Sequence, residues 1–272
     1  MNILFYKDNF LEKDKFYIDI NNRSFRYSDS CFETIKIINY KVFNQNAHLY
    51  RIRKAICILR FVFNHTDNYI ISVINNIIIK NKICNGIIKL YLIRESGGLY
   101  LPKSNNCNLF VEAHTNNNTF KYNSPTSLYI YNKEVKTKCQ TSNIKSSATL
   151  ISVLASIEAK KHGFENAMLF NSEGYIIEAS NSNIFIVKDN IIYTPPIEDG
   201  CVDGTMRNLI CNLFSIINKS ISLEMIEKSD EVFISNSING VIPINKIGAF
   251  NYKSHIFSNM VQKKLISLIQ DP

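Results

Sequence analysis

The sequence predicts an α+β protein built as two domains. Three observations carry that expectation: short apolar runs alternate with helically spaced ones over the first hundred residues, the pattern lapses once before the middle, and hairpins then interleave with amphipathic helices. At 272 residues the chain can bury one large core or two modest ones. With 46% hydrophobic and 20% charged residues it has an ordinary globular make-up, which excludes disordered, collagen-like and coiled-coil classes.

Taken in order, residues 2–6 (NILFY) and 16–20 (FYIDI) read as strands. Leu49, Ile52, Ile56 and Leu59 recur every three or four residues and share one helical face, with Asn46 as its candidate cap. Thr66 is placed to cap a second helix over 67–80. Residues 86–94 (GIIKLYLIR) read as a buried strand, Gly97-Gly98 as a turn, and 108–113 as the next strand. The stretch 114–125 (HTNNNTFKYNSP) loses apolar periodicity and gathers Asn, Thr and Pro, which makes it an interdomain linker between a small α/β domain at 1–113 and a larger domain at 126–272. The larger domain reads as a strand at 127–132, a helix from Ala148 closed by Gly163, and a hairpin over 167–178 turning at Asn171 to Gly174. Strands at 183–188 and 191–194, a helix from Gly204 to Ile217, strands near 232–235 and 241–244, and a final helix from Ser254 to about Ile269 complete it.

Composition also narrows the function. The formal charge is +8, yet the lysines and arginines are dispersed, so nucleic acid is not the expected partner and a small acidic or phosphorylated molecule suffices. Seven cysteines without a C-x-x-C pair argue for a reducing compartment and against a disulfide frame or a zinc site. The opening MNILFYKDNF has no signal-like apolar run, and nowhere do 18 apolar residues follow one another, so a cytoplasmic protein without a membrane partner is expected.

No nucleophile elbow, P-loop, dinucleotide fingerprint or metal-ligand spacing is present. What remains is Lys145 ahead of a helix, Glu178 at the end of a hairpin strand, Gly204-Thr205-Met206 opening a helix, and Arg51 on a helix of the first half. Pyridoxal phosphate chemistry needs such a set: an amine to form a Schiff base, an acid to keep the pyridine nitrogen protonated, and a helix start with an arginine for the phosphate. Each residue also has an ordinary reading, as a solvated lysine, a surface carboxylate, a turn glycine and a snorkelling arginine. From residues alone the reading stops at a soluble α/β protein with enzyme-like parts.

Three blocks go further. Residues 27–55 (YSDSCFETIKIINYKVFNQNAHLYRIRKA), the long run from Lys145 to Arg207, and 232–244 (VFISNSINGVIPI) together resemble the class IV, fold-type IV pyridoxal-phosphate enzymes, which include branched-chain and D-amino-acid aminotransferases and 4-amino-4-deoxychorismate lyases. The resemblance implies pyridoxal 5'-phosphate held in the cleft between a small α/β domain and a larger barrel-like one, in a homodimer. It implies Lys145 as the Schiff-base lysine, Glu178 on the pyridine nitrogen, Arg51 and the N–H groups of Thr205 and Met206 on the phosphate, and Ser182 and Asn183 at the family's S-N. Three positions depart from the family pattern: Ser30 replaces a glycine, Asp203 precedes the phosphate helix, and Ala148 replaces a polar residue after the lysine.

Four details resemble the lyases more than the aminotransferases: Thr205-Met206-Arg207, Asn236 in the later strand, the LIRESGGLY segment at 92–100, and DSCFET at 29–34. The resemblance therefore implies conversion of 4-amino-4-deoxychorismate to 4-aminobenzoate and pyruvate, a folate-biosynthetic step, with Arg94 as candidate for a substrate carboxylate and Asn236 for orienting substrate or phosphate. A class IV aminotransferase acting on branched-chain or D-amino acids is the alternative, and a non-catalytic binding protein of the same fold is the third.

Overall fold

The structure is a computed structural model that describes residues 2–270. It divides into two compact units: residues up to Thr119 with Ile144–Ala148, and Phe120–Asn143 with residues from Thr149 onward. The division falls inside the stretch expected as linker, although the strand before it runs on through His114 and Thr115. The short insert at 144–148, which carries Lys145, belongs to the first unit.

The first unit holds strands β1 (Ile3–Tyr6) and β2 (Asn9–Glu12), a short helix α1 (Arg23–Tyr27), strands β3 (Ser30–Ile38) and β4 (Lys41–Val42), helices α2 (Gln45–Ile58) and α3 (Asp67–Asn81), and strands β5 (Gly86–Arg94) and β6 (Cys107–Thr115). They form one antiparallel sheet in the order β2-β1-β6-β5-β3-β4. Because side chains alternate across a strand, Ile35, Ile37, Ile88, Leu90, Leu92, Leu109 and Val111 face one way and bury against Leu49 and Ile52 of α2 and Ile70, Ile74 and Ile77 of α3. The intervening residues Phe32, Thr34, Lys89, Tyr91, Phe110 and Glu112 lie in register on the opposite face.

Thr66 caps α3 as expected, its hydroxyl accepting the Tyr69 N–H. Two expectations fail here. Helix α2 is capped by Asn44, in left-handed conformation at φ 54, so Asn46 lies within the first turn. Residues 16–20 form no strand: after a single turn of 3-10 helix at Lys13–Lys15 the chain runs unpaired towards α1, and Tyr17, Ile18 and Ile20 stay exposed. Their alternation matched a strand, but pairing depends on an available ladder, and both edges of β1 are taken by β2 and β6.

The second unit comprises β7 (Thr126–Ile130), α4 (Leu150–Lys161), β8 (Asn166–Phe170), β9 (Ile176–Ala179), β10 (Ser182–Lys188), β11 (Ile191–Thr194), α5 (Thr205–Leu213), β12 (Ile216–Asn218), α6 (Leu223–Glu227), β13 (Glu231–Asn236), β14 (Gly240–Ile247), β15 (Phe250–Asn251) and α7 (Ile256–Gln270). The sheet order is β12-β11-β10-β13-β14-β7-β8-β9, and β9 also pairs β10. That extra pairing closes six strands into a barrel, which removes their open edges. Its interior is filled by Leu128, Met168, Ile176, Ile184, Ile186, Val232, Ile234 and Ile244. The helix expected to reach Ile217 ends at Leu213, where Phe214 turns extended, and Ile216–Asn218 instead add a parallel strand to β11. No helix among the described residues is long and apolar enough to cross a membrane.

Candidate active site

In the first unit, Lys145 is placed by backbone pairing. The Phe32 N–H donates to the Lys145 carbonyl at 2.9 Å and the Ser147 N–H to the Ser30 carbonyl at 3.0 Å, so residues 145–147 continue the sheet along β3. Ile144 anchors the segment in the α2–α3 core. Ser30, at the position where a glycine was expected, is part of this clamp: its hydroxyl lies 2.6 Å from those of both Ser24 and Ser147. The Lys145 ammonium stands 4.6 Å from the centre of the Phe32 ring, within range of a cation–π attraction.

Lys145 and Arg51 line one cavity, together with Cys31, Phe32, Glu33 and Leu90. Arg51 is buried on α2, and its Nε and Nη2 donate to the two oxygens of Glu33 at 2.7 and 2.5 Å. His48, one turn earlier on α2, has Nδ1 2.7 Å from the same carboxylate. Burial alone would raise the Glu33 carboxyl, but the charge and hydrogen bonds of Arg51 and those of His48 outweigh it and bring the pKa down to about 2.

The opposite face of this sheet carries a second cation. Lys89 Nζ donates to the Thr34 hydroxyl at 2.9 Å and lies 5.8 Å from the same Phe32 ring that Lys145 approaches. Burial pushes the Lys89 amine down, opposed by Glu112 across the strand. Arg94, the residue expected to meet a substrate carboxylate, is placed differently. Its Nε, Nη1 and Nη2 donate to Asp29, Asn105 and the Leu59 carbonyl at 2.8, 2.6 and 2.7 Å, and its guanidinium stacks 4.6 Å from Phe61. Arg94 therefore ties β5 to the end of α2, and the correction follows from geometry: all three nitrogens serve the fold.

In the second unit, Glu178 on β9 and Asn183 on β10 are cross-strand partners. Together they bracket Val202: its N–H donates to Glu178 Oε2 at 2.8 Å and its carbonyl accepts from Asn183 Nδ2 at 2.8 Å. One sheet pair thus fixes the loop that launches α5, and the structure brings Glu178, Asn183, Thr205 and Met206 together. Asn143 reinforces the loop, donating to the carbonyls of Ile197 and Cys201 at 2.7 and 2.8 Å. Burial, and then the charge of Glu178, push the nearby Cys201 thiol up to about 12, so it is inert. Asp203 turns aside from the helix start, accepting from Asn208 Nδ2 at 2.7 Å. Ser182 and Asn236 form a separate pair at 3.0 Å, and Asn236 also accepts the N–H groups of Ile238 and Asn239 to shape the turn after β13.

Gly204 caps α5 with no side-chain acceptor, and a Cβ there would stand 1.8 Å from Asn183 Oδ1 and 2.9 Å from its Cγ. Gly204→Ala is expected to push Asn183 off Val202 and to destabilise the protein by about 1–3 kcal/mol, the usual range for overpacking, as read by denaturant titration.

With this geometry in view, similarity to known proteins can be weighed. The model of the family Amino-transferase class IV matches residues 30–247. The chain belongs to that family. Class IV aminotransferases are pyridoxal-phosphate-dependent enzymes, which agrees with the cofactor implied by the sequence resemblance and sets aside the non-catalytic alternative. Among relatives of this class IV chain, the "Probable branched-chain-amino-acid aminotransferase" of Rickettsia bellii is 29% identical over 239 residues, covering 85% of this chain and 82% of the relative. The branched-chain-amino-acid aminotransferase of Escherichia coli K12 is 22% identical over 246 residues, covering 85% and 80%. A solved structure of the branched-chain enzyme from Escherichia coli superposes with a TM-score of 0.90 at 19% identity, covering 98% of this chain and 94% of that one. One from Legionella pneumophila, "Putative 4-amino-4-deoxychorismate lyase", superposes with a TM-score of 0.84 at 23% identity, covering 94% and 97%. These superpositions establish the class IV fold.

Four polar residues of this class IV chain escaped the sequence reading. Lys89 left a signal, a lone cation in an otherwise apolar strand, and Glu33 left a weaker one, a carboxylate in register with Ile35 and Ile37. His48 and Lys136, partners of Glu33 and Glu178, left none, because their roles arise only from tertiary contacts.

Proposed function

We propose that this chain is the class IV lyase that converts 4-amino-4-deoxychorismate to 4-aminobenzoate and pyruvate. Lys89 carries the reading: a half-buried cation, braced by Thr34 and set on the Phe32 ring that also meets Lys145, suits an anionic substrate better than an aliphatic one.

The donor set fits pyridoxal phosphate. A primary amine and an arginine line one cavity, and a buried carboxylate is pinned beside a glycine-capped helix start that a Cβ would obstruct. When bound, the cofactor supplies an electron sink for the carbon that bears the substrate amine. In this reading Lys145 holds the cofactor by its carbonyl carbon, yields it to the substrate amine, and then takes the proton from the amine-bearing ring carbon. Glu178 keeps a proton at the ring nitrogen. Arg51, oriented by Glu33 and His48, and the N–H groups of Thr205 and Met206 take the phosphate, with Ser182, Asn183 and Asn236 framing it. Lys89 takes the carboxylate role first sought in Arg94. Loss of the enolpyruvyl group leaves an aromatic ring, which drives the step forward.

A homodimer in a reducing, cytoplasmic setting belongs to the same proposal. Supporting it are the exposed apolar side chains Tyr17, Ile18, Phe25, Leu99, Tyr100 and Leu101 on the first unit and seven free cysteines. The similarity to branched-chain aminotransferases over more than four-fifths of the chain favours a second reading, transamination of branched-chain amino acids. The two separate in one assay. With aminodeoxychorismate, the lyase is expected to release pyruvate and 4-aminobenzoate in equal amounts with no amino donor or keto acid added. Turnover that requires a donor and acceptor pair selects the aminotransferase.

A further inference from the structure

Glu178 has a partner that the reaction above leaves without a task. Lys136 Nζ lies 2.6 Å from Glu178 Oε1 and 3.1 Å from the Ser142 carbonyl, while Oε2 of the same carboxylate accepts the Val202 N–H at 2.8 Å. Lys136 is itself fastened: its N–H donates to the Phe170 carbonyl at 2.8 Å, and it bridges Asn171 at the end of β8. The side chains are 20% and 8% exposed. A pair this buried adds little net stability compared with apolar residues of the same volume, so its effect is better sought in geometry.

We infer that Lys136 is a positioning residue that fixes the plane of the Glu178 carboxylate, so that its remaining acceptor sites are aimed at the ring nitrogen of the cofactor. The inference rests on the pyridoxal-phosphate reading of Glu178. Two donors, one on each oxygen and each from a different element, stop the carboxylate from turning about its last bond, which the backbone N–H alone cannot do. An ionised carboxylate has about four acceptor sites, so two protein donors leave room for the ring N–H. The ammonium also keeps the carboxylate charged, the form that accepts that N–H.

The test compares equilibrium affinities of wild type, Lys136→Met and Lys136→Arg for pyridoxal 5'-phosphate and for its 1-deaza analogue, in which C–H replaces the ring nitrogen. The Met variant is expected to bind pyridoxal phosphate about tenfold more weakly, the scale of one charge-assisted hydrogen bond, and to bind the analogue as wild type does. The Arg variant is expected to restore the preference. The ratio of the two affinities does not depend on what fraction of a variant is folded. An unchanged ratio in the Met variant overturns the positioning role, whether both affinities fall or neither does. A wild-type protein that binds both molecules equally well removes Glu178 from the ring nitrogen, and with it the reading beneath.

Discussion

Lys145→Ala is expected to abolish the visible absorbance of lysine-linked cofactor and to lower turnover by roughly a thousandfold or more, since proton transfer by a placed group alone contributes about 10²–10⁴. The fold should survive. Residues 145–147 are held to β3 through backbone N–H and carbonyl groups, and Ile144 and Ser147, which anchor the segment, are untouched by the change. What is lost is an ammonium over the Phe32 ring, a contact of about 0.5–1 kcal/mol when partly exposed. Absorbance, turnover and a thermal melt on the same sample check this: the first two are expected to collapse and the third to move little. A variant that keeps its absorbance assigns the covalent role to another lysine.

Glu33→Gln is expected to have the largest effect on stability, destabilising the protein by about 3–5 kcal/mol at neutral pH, because it leaves the Arg51 guanidinium buried without a countercharge. The pH dependence has a definite sign. The folded protein holds the Glu33 carboxyl down to about 2 from an ordinary 4.5, so its stabilising contribution is complete above the higher value and is lost as pH falls through the lower one. Urea titrations of the variant and the wild type across that window should therefore converge as pH falls. A gap that stays constant with pH assigns the loss to packing. Cofactor affinity should fall together with stability, since Glu33 and His48 are what orient Arg51.

Most of the fold could be read from periodicity. Both long helices of the first unit, the buried β5, the hairpin at Asn171 to Gly174 and the closing helix follow from apolar spacing and from glycine placement. Periodicity failed where pairing or tertiary contact decided the outcome. Residues 16–20 alternate like a strand and find no ladder, and Ile216–Asn218 continue a helical spacing yet join β11 because its edge is open to them. Chain order also concealed that residues 144–148 pack with the first unit, since a five-residue insertion into a distant sheet leaves no mark in local pattern. At the site, residue types pointed to Lys145, Glu178 and the α5 start because their chemistry restricts the choice. Arg94 illustrates the limit of that approach. Its position on a strand suggested a free guanidinium, and only the fold revealed Asp29, Asn105 and the Leu59 carbonyl converging on it.

The central claim is that the amine of Lys145 bonds covalently to the cofactor. Borohydride reduction of the protein loaded with pyridoxal 5'-phosphate, followed by digestion and mass mapping, reads that bond directly. The account predicts a single phosphopyridoxyl adduct, on the peptide that contains residue 145. An adduct on Lys89, Lys136 or Lys138 with residue 145 unmodified would contradict it.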